Sequence, residues 1–211
     1  RRVRLECSTE VGYDRSDMES RALILDGGTL SNSLTHDVDD LTAAVLRTAG
    51  WTTDRVLLAE TDIAPCAGCF ACWIRTPGVC AIEDAGRDIA RRTVRSDLVV
   101  YLTPLTFGGY SSDLKRAIDR SIPIVSPFFR RVRGEVHHRK RYARYPRILG
   151  VGVSSPGRAD PDEEEIFETL VRRNAINLHS PASATCVIDA FDDDEVRRLR
   201  VERAVEKVTG S

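Results

Sequence analysis

The chain has 211 residues, is 42% hydrophobic and 30% charged, and carries a formal net charge of -1. That composition describes a globular chain able to bury a core, without the overall field that draws basic proteins to nucleic acid or to a membrane surface. No apolar run approaches the roughly 20 residues needed to cross a bilayer, and residues 1–20 lack the apolar core of a secretion signal. A cytoplasmic protein with reduced cysteines is therefore the expectation.

Residues 1–20 read as a loose polar arm ahead of one domain, 21–211. "RALILDGG" opens that domain as a short, fully buried strand ending in glycines. A helix follows with Leu34, Val38, Leu41 and Val45 on one face, closing near Gly50. "WTTDRVLLAE" reads as the second strand and is followed by a cysteine-rich segment. "DAGRDIARRTVRS" predicts a helix capped by Asp84, "DLVVYLTPL" a third buried strand, and "SSDLKRAIDRS" a helix capped by Ser111 or Ser112. Regularity then fails: residues 122–146 predict a long basic connection. "RILGVGVSS" is the fourth strand of the pattern, and "DPDEEEIFETLVRRNAI" a helix with Asp160 as cap, Pro161 at its first position and acids in its first turn. "ATCVIDAF" and "DDDEVRRLRVERAVEKV" supply the last strand and helix, with Cys186 as a small core residue and Cys7 set apart on the arm.

Strands alternating with helices imply a parallel sheet covered on both faces. Five such units predict an α/β, flavodoxin-like, doubly wound five-stranded sheet. Its ligands belong beyond the carboxyl ends of the strands, where strand order reverses. The turns placed there carry the candidate binding residues. "DGGTLSNS" offers Gly27 and Gly28 for close backbone approach, and Thr29, Ser31, Asn32 and Ser33 as donors at a helix N-terminus, a combination suited to a phosphate. It is neither a P-loop nor G-x-G-x-x-G, which counts against ATP and Rossmann NAD sites. An ordinary strand-to-helix turn with a Ser or Asn cap is the plainer alternative. "TPLTFGGY" brings Pro104, Leu105, Thr106, Phe107, Gly108 and Gly109 into a shaped loop whose Phe107 and Tyr110 would flank a planar ring, with Lys115, Arg116 and Arg120 on the polar side of the next helix. "VSSPGR" adds Ser154, Ser155 and Gly157, and the cysteine segment is expected at the same edge.

Four of the six cysteines, Cys66, Cys69, Cys72 and Cys80, fall in "CAGCFACWIRTPGVC". Spacings of three, three and eight residues suit four soft thiolates on one [4Fe–4S] cluster. Zinc also accepts four thiolates, though structural zinc sites more often pair two separated knuckles. Reduced thiols, or a redox pair of Cys69 with Cys72, form the alternative without metal. The basic run from Arg130 to Arg147 lacks the aromatic interleaving of single-strand binders, so nucleic acid is not expected. It reads as a solvated loop, as a subunit contact, or as a segment whose Arg139, Lys140, Arg141 or Arg144 meets NAD(P)H phosphates. His137 and His138 read as surface residues without acid–base work.

The cysteine block, "YLTPLTFGGYSSDLKRAIDRSIP" and "HHRKRYARYP" together resemble the NADPH-dependent FMN reductase family, in its branch that includes the iron–sulfur flavoproteins. The likeness covers Ala22 to Ser155. It implies an FMN-binding oxidoreductase of homodimeric or homotetrameric assembly that uses NAD(P)H as co-substrate and passes electrons to a small-molecule or protein acceptor. By position, the loop Gly27 to Ser33 would hold the FMN phosphate, Pro104 to Gly109 would lie along the isoalloxazine, and Ser154 to Gly157 would approach the ring's other side. The chain departs from the family where Gly28, Thr29 and Leu30 replace residues that include a basic phosphate contact, and where Thr106 replaces a frequent Tyr. A non-enzymatic FMN and iron–sulfur electron carrier, or a zinc-stapled binding module, are the rival expectations.

Overall fold

The apolar run Ala22 to Leu25 is drawn inside a parallel sheet, where both of its faces are covered. The computed structural model describes residues 19–31, 33–132, 134–154 and 161–210. In chain order its elements are β1 (Arg21–Asp26), α1 (Ser33–Thr48), β2 (Thr52–Leu57), α2 (Ala71–Ile74), α3 (Ala85–Arg95), β3 (Leu98–Pro104), α4 (Ser112–Asp119), β4 (Val125–Val132), β5 (Glu135–Lys140), β6 (Arg147–Val153), α5 (Pro161–Asn177), β7 (Ser183–Ile188) and α6 (Asp194–Thr209). Five strands form one all-parallel sheet in the order β2-β1-β3-β6-β7. This is the flavodoxin-like order, and it reverses between β1 and β3.

Successive strand residues serve two separate cores, as the period of two requires. Ala22, Ile24, Leu98, Val100 and Leu102 pack under α1 and α6 with Val38, Leu46, Val201 and Val205. Leu23, Leu25, Val99 and Tyr101 pack on the other face with Ile89 of α3, Leu114 of α4 and Phe167 and Val171 of α5. Each fully buried aliphatic side chain contributes about 1.5–3 kcal/mol of transfer free energy. Asp84 caps α3 by accepting from Gly86 N–H, and Ser111 caps α4 by accepting from Leu114 N–H. Asp160 and Cys7 lie outside the described residues, as do residues 1–18 of the arm. Among the described residues no helix is long and apolar enough to cross a membrane.

The connection 122–146 is not a loop. A 3-10 turn at Ile122–Ile124 leads into the antiparallel hairpin β4–β5, separate from the main sheet. Its charged composition masks the strand pattern. The turn signal was nonetheless present, because Gly134 takes φ 86 at the hairpin tip, the left-handed backbone such tight turns need.

Candidate functional site

The turns after β1 and β3 are joined at the point where strand order reverses. Gly27 N–H donates to the Leu102 carbonyl at 2.8 Å. A Cβ on Gly27 would stand 2.5 Å from Ser111 Oγ and 2.9 Å from Leu114 Cβ, and one on Gly28 would stand 2.7 Å from Thr35 Cγ2. These positions hold glycine because no side chain fits. The crest beyond them is exposed, with the Thr29 and Ser31 hydroxyls 3.3 Å apart. Asn32, the side chain of Ser33, Ser155 and Gly157 lie outside the described residues.

Asp26 is the rim residue that the sequence reading passed over. It is buried, its Oδ1 accepts from Gly28 N–H at 2.7 Å, and its Oδ2 lies 3.5 Å from His36 Nδ1. Burial holds this carboxyl above the usual range and the charge of Asp39 adds to the effect, against the Gly28 N–H, His36 and Arg55. The Gly28 N–H is thus spent inside the fold, and among the described side chains of the turn the hydroxyls of Thr29 and Ser31 stand at the crest as donors. The available signal was a single acid ending an otherwise apolar strand.

The second rim turn is closed by reciprocal backbone bonds between Thr106 and Gly109, at 3.3 and 2.9 Å. Its central residues Phe107 and Gly108 both have positive φ, 51° and 71°. Phe107 holds a left-handed conformation that costs a residue with a side chain about 1–2 kcal/mol, and the residue is 81% exposed at the rim. Leu105 N–H donates to the Val153 carbonyl at 2.8 Å, which ties this turn to β6. Pro104 ends β3 beside Val153. Ser154 is buried, and its hydroxyl lies 3.2 Å from Asp189 Oδ2. Tyr110 does not flank the rim: it meets Tyr101 and Phe167 edge-on in the core, and its hydroxyl accepts from Asn174 at 3.0 Å.

The cysteines stand elsewhere. Cys66, Cys69, Cys72 and Cys80 line one cavity of about 560 Å³, walled by the turn after α4, the hairpin and the end of α5. No rim residue lines it, so the expectation that the cysteine segment shares the turns' edge is corrected. The cause lies in α4. Arg116 donates to the Ile63 carbonyl at 3.3 Å and Arg120 to the Ala64 carbonyl at 2.7 Å, drawing the chain away from the rim along that helix. Burial pushes the Cys72 thiol up, and Cys80, Cys66 and Cys69 push it the same way, so the four are within electrostatic reach. Among the described residues no group of three or more His, Cys, Asp or Glu side chains is arranged to hold a metal ion. Four thiols around one cavity remain a donor set suited to a soft metal centre.

Arg120, expected on the polar side of α4, is 1% exposed. Its guanidinium makes a paired contact with Asp84 at 2.7 Å on each oxygen and also donates to the carbonyls of Ala64 and Ile82. Asp84 in turn accepts from Ala64 N–H and Gly86 N–H, both at 2.9 Å. One ion pair therefore clamps both ends of the cysteine loop. His137 is buried rather than on the surface, between Asn177 Oδ1 at 2.9 Å and Glu135 Oε2 at 2.8 Å. The His138 ring lies 4.7 Å from both Trp73 and Phe129. Arg139 and Arg141 are spent on the carbonyls of Phe129 and Pro123. Cys186 packs against the first core, and burial pushes its thiol up to about 12.

Strand order, switch point and glycine turns define a flavodoxin-like α/β protein. The profile of the NADPH-dependent FMN reductase family matches residues 20–158, well over half of the chain, and the chain belongs to that family. An iron-sulfur flavoprotein of Methanosarcina thermophila is 32% identical over 78 residues, 37% of this chain and 40% of that protein. One of Methanocaldococcus jannaschii is 35% identical over 75 residues, 36% and 38% of the two chains. The chain thus spans about two fifths of the length of the curated relatives it matches. Among solved structures, an NAD(P)H:quinone oxidoreductase of Methanothermobacter marburgensis superposes with TM-score 0.64 at 17% identity, covering 92% of this chain and 100% of that one. An FMN-dependent NADH-azoreductase of Bacillus anthracis, in complex with FMN, does so with TM-score 0.62 at 13% identity, covering 92% and 98%.

Proposed function

We propose that the chain is an FMN-dependent NAD(P)H oxidoreductase that delivers electrons to a small-molecule or protein acceptor. The observation that carries this reading is the rim at the β1/β3 reversal, where two glycines that no side chain can replace bring backbone and hydroxyls to one crest. Family membership supports it, as does the likeness to an FMN-bound azoreductase. In the loop Gly27 to Ser33, the two glycines shape the turn, and Thr29, Ser31 and the backbone that follows Gly28 hold the phosphate. The turn Pro104 to Gly109 carries the isoalloxazine edge, with Phe107 as an apolar cover. Ser154 and the segment through Ser155 and Gly157 close the other side, Ser154 as a fixed support whose N–H is donated to the Ile188 carbonyl and whose hydroxyl is turned to Asp189. When bound, FMN supplies hydride acceptance from a nicotinamide and onward electron delivery. The protein's own part is to hold and orient the ring and to exclude water from it.

Cys66, Cys69, Cys72 and Cys80 would hold a [4Fe–4S] cluster, which supplies one-electron transfer. The relatives named iron-sulfur flavoproteins support that assignment. Assembly as a homodimer or homotetramer accords with the exposed Phe128 and Phe129 of the hairpin. An anaerobic absorbance spectrum of the purified chain, with FMN, iron and sulfide analysis followed by NADPH addition, tests all of this. Flavin bands that NADPH bleaches promptly are the expected result. Flavin reduced only by a chemical reductant indicates the electron carrier, and a colourless protein that takes up no FMN overturns the reading. About four irons and four sulfides per chain establish the cluster.

A further inference from the structure

At the other end of the sheet, among the amino ends of β3, β6 and β7, lies a groove of about 1360 Å³. Arg130, Lys140, Arg144, Arg147 and Arg172 line it, and among the described residues Asp97 is the one carboxylate of the lining. Asp97 accepts from the backbone N–H of Arg21 at 3.0 Å. Several cations elsewhere are ion-paired: Arg55 with Asp39, Arg92 with Asp54, Arg120 with Asp84, Arg173 with Glu135 and Arg200 with Asp192. None of the five groove cations has a carboxylate partner among the described residues. Like charges gathered in a concavity without counter-charges focus a positive potential there.

A group inside the groove registers that potential. His179 lines the wall and its Nε2 lies 2.6 Å from the His138 carbonyl. Burial lowers its pKa, and the charges of Lys140 and Arg130 lower it further. Two neighbours on the hairpin thus direct their charge onto the groove.

We propose that this groove is a second ligand site, one that binds a small phosphate-bearing polyanion with the charge of a nucleoside diphosphate or triphosphate. Four of its five cations are arginines, whose planar forks match phosphate oxygens two at a time. Tyr142 and His179 offer ring faces beside them on which a base would stack. The site is not the place where NAD(P)H phosphates meet the flavin of the same protomer. The seven-residue strand β3 separates the groove from the rim, about 20 Å at the rise of a parallel strand. The groove stands whether or not the rim holds flavin.

The test is isothermal titration calorimetry on the full chain as purified, with sodium tripolyphosphate and with ATP as probes, at low and at raised salt. One saturable site is expected, weakening steeply with salt as exposed charge pairs are screened. Arg144→Gln with Arg172→Gln should weaken it about tenfold or more, the loss of one or two charge-assisted contacts. An equal charge removal on α6, Arg198→Gln with Lys207→Gln, should leave it unchanged, and flavin content should be the same in all three proteins. Tighter binding of ATP than of tripolyphosphate identifies a nucleotide, and equal binding identifies a simple polyphosphate. The proposal is overturned by absence of a saturable site, or by equal weakening in the groove and α6 variants, which is diffuse attraction only. It is also overturned if a short single-stranded RNA displaces tripolyphosphate far more effectively than ATP does, since the groove is then a nucleic-acid surface.

Discussion

Asp84→Asn should be among the most damaging single-atom changes available in this chain. It leaves an oxygen to accept from Gly86 N–H but removes the charge opposite Arg120, a guanidinium that is 1% exposed. Removing one partner of a buried ion pair costs about 3–5 kcal/mol, because the other charge stays buried without compensation. The amide keeps part of the hydrogen bonding, so the lower figure applies, and at about 2–4 °C per kcal/mol the midpoint should fall by about 6–12 °C. Asp84→Ala also loses the helix cap and should cost about 1 kcal/mol more. The assays are urea unfolding for the free energy and thermal unfolding for the midpoint, both followed by Trp fluorescence, since Trp73 lines the cysteine cavity. Ellman titration should show Cys72 reacting faster, because the clamp on Ala64 and Ile82 is lost. The double variant Asp84→Asn with Arg120→Met strands no charge and should be less unstable than the sum of its singles by about 1–3 kcal/mol. Burial alone would raise the Asp84 carboxyl, but Arg120 and the N–H groups of Ala64 and Gly86 hold it below its usual range. The pair's contribution is therefore complete at neutral pH and is lost only as acid takes pH through that lowered value. A cost under about 1 kcal/mol for Asp84→Asn, or singles that add, would refute the clamp.

Other changes probe the rim and the hairpin. Gly27→Ala forces a Cβ to within 2.5 Å of Ser111 Oγ; it should destabilise by about 1–3 kcal/mol and leave the purified protein largely free of FMN by absorbance. Thr29→Ala with Ser31→Ala should raise the FMN Kd about tenfold in a fluorescence-quenching titration. The unfolding midpoint should hardly move, because both side chains are exposed. Arg173 and His137 hold the Glu135 carboxyl down to about 2 from 4.5. The midpoint difference between the parent and Glu135→Gln should be constant above that upper value and close as pH falls toward the lower, as calorimetry across the acid range will report.

The main sheet was legible because its signals are local. "ALIL", "LVVYL" and "ILGVGV" are apolar runs with no polar alternation, which only strands covered on both sides can use, and each divides its residues between the two cores. Asp84 and Ser111 cap helices as read, since capping depends on residues within a few positions. The hairpin escaped because its faces carry Arg, His and Glu, whose apolar stems and rings pack while their heads read as solvent. His137 is buried by two partners, Glu135 only two residues away but Asn177 forty residues on.

The rim was readable as a set of turns and misread in its side chains. Phe107 and Tyr110 are both aromatic and three positions apart, yet the turn between them sends one ring outward and the other into the core. The same limit explains the arginines. Arg120 and Arg144 are indistinguishable as letters in basic stretches, but Asp84 and two carbonyls draw the first inside, while the second stands in a groove where the one acid among the described residues accepts from a backbone N–H. Net charge, being a sum, hides this division. A chain at -1 can still gather five cations without a carboxylate partner among the described residues in one groove, and only the fold reveals where.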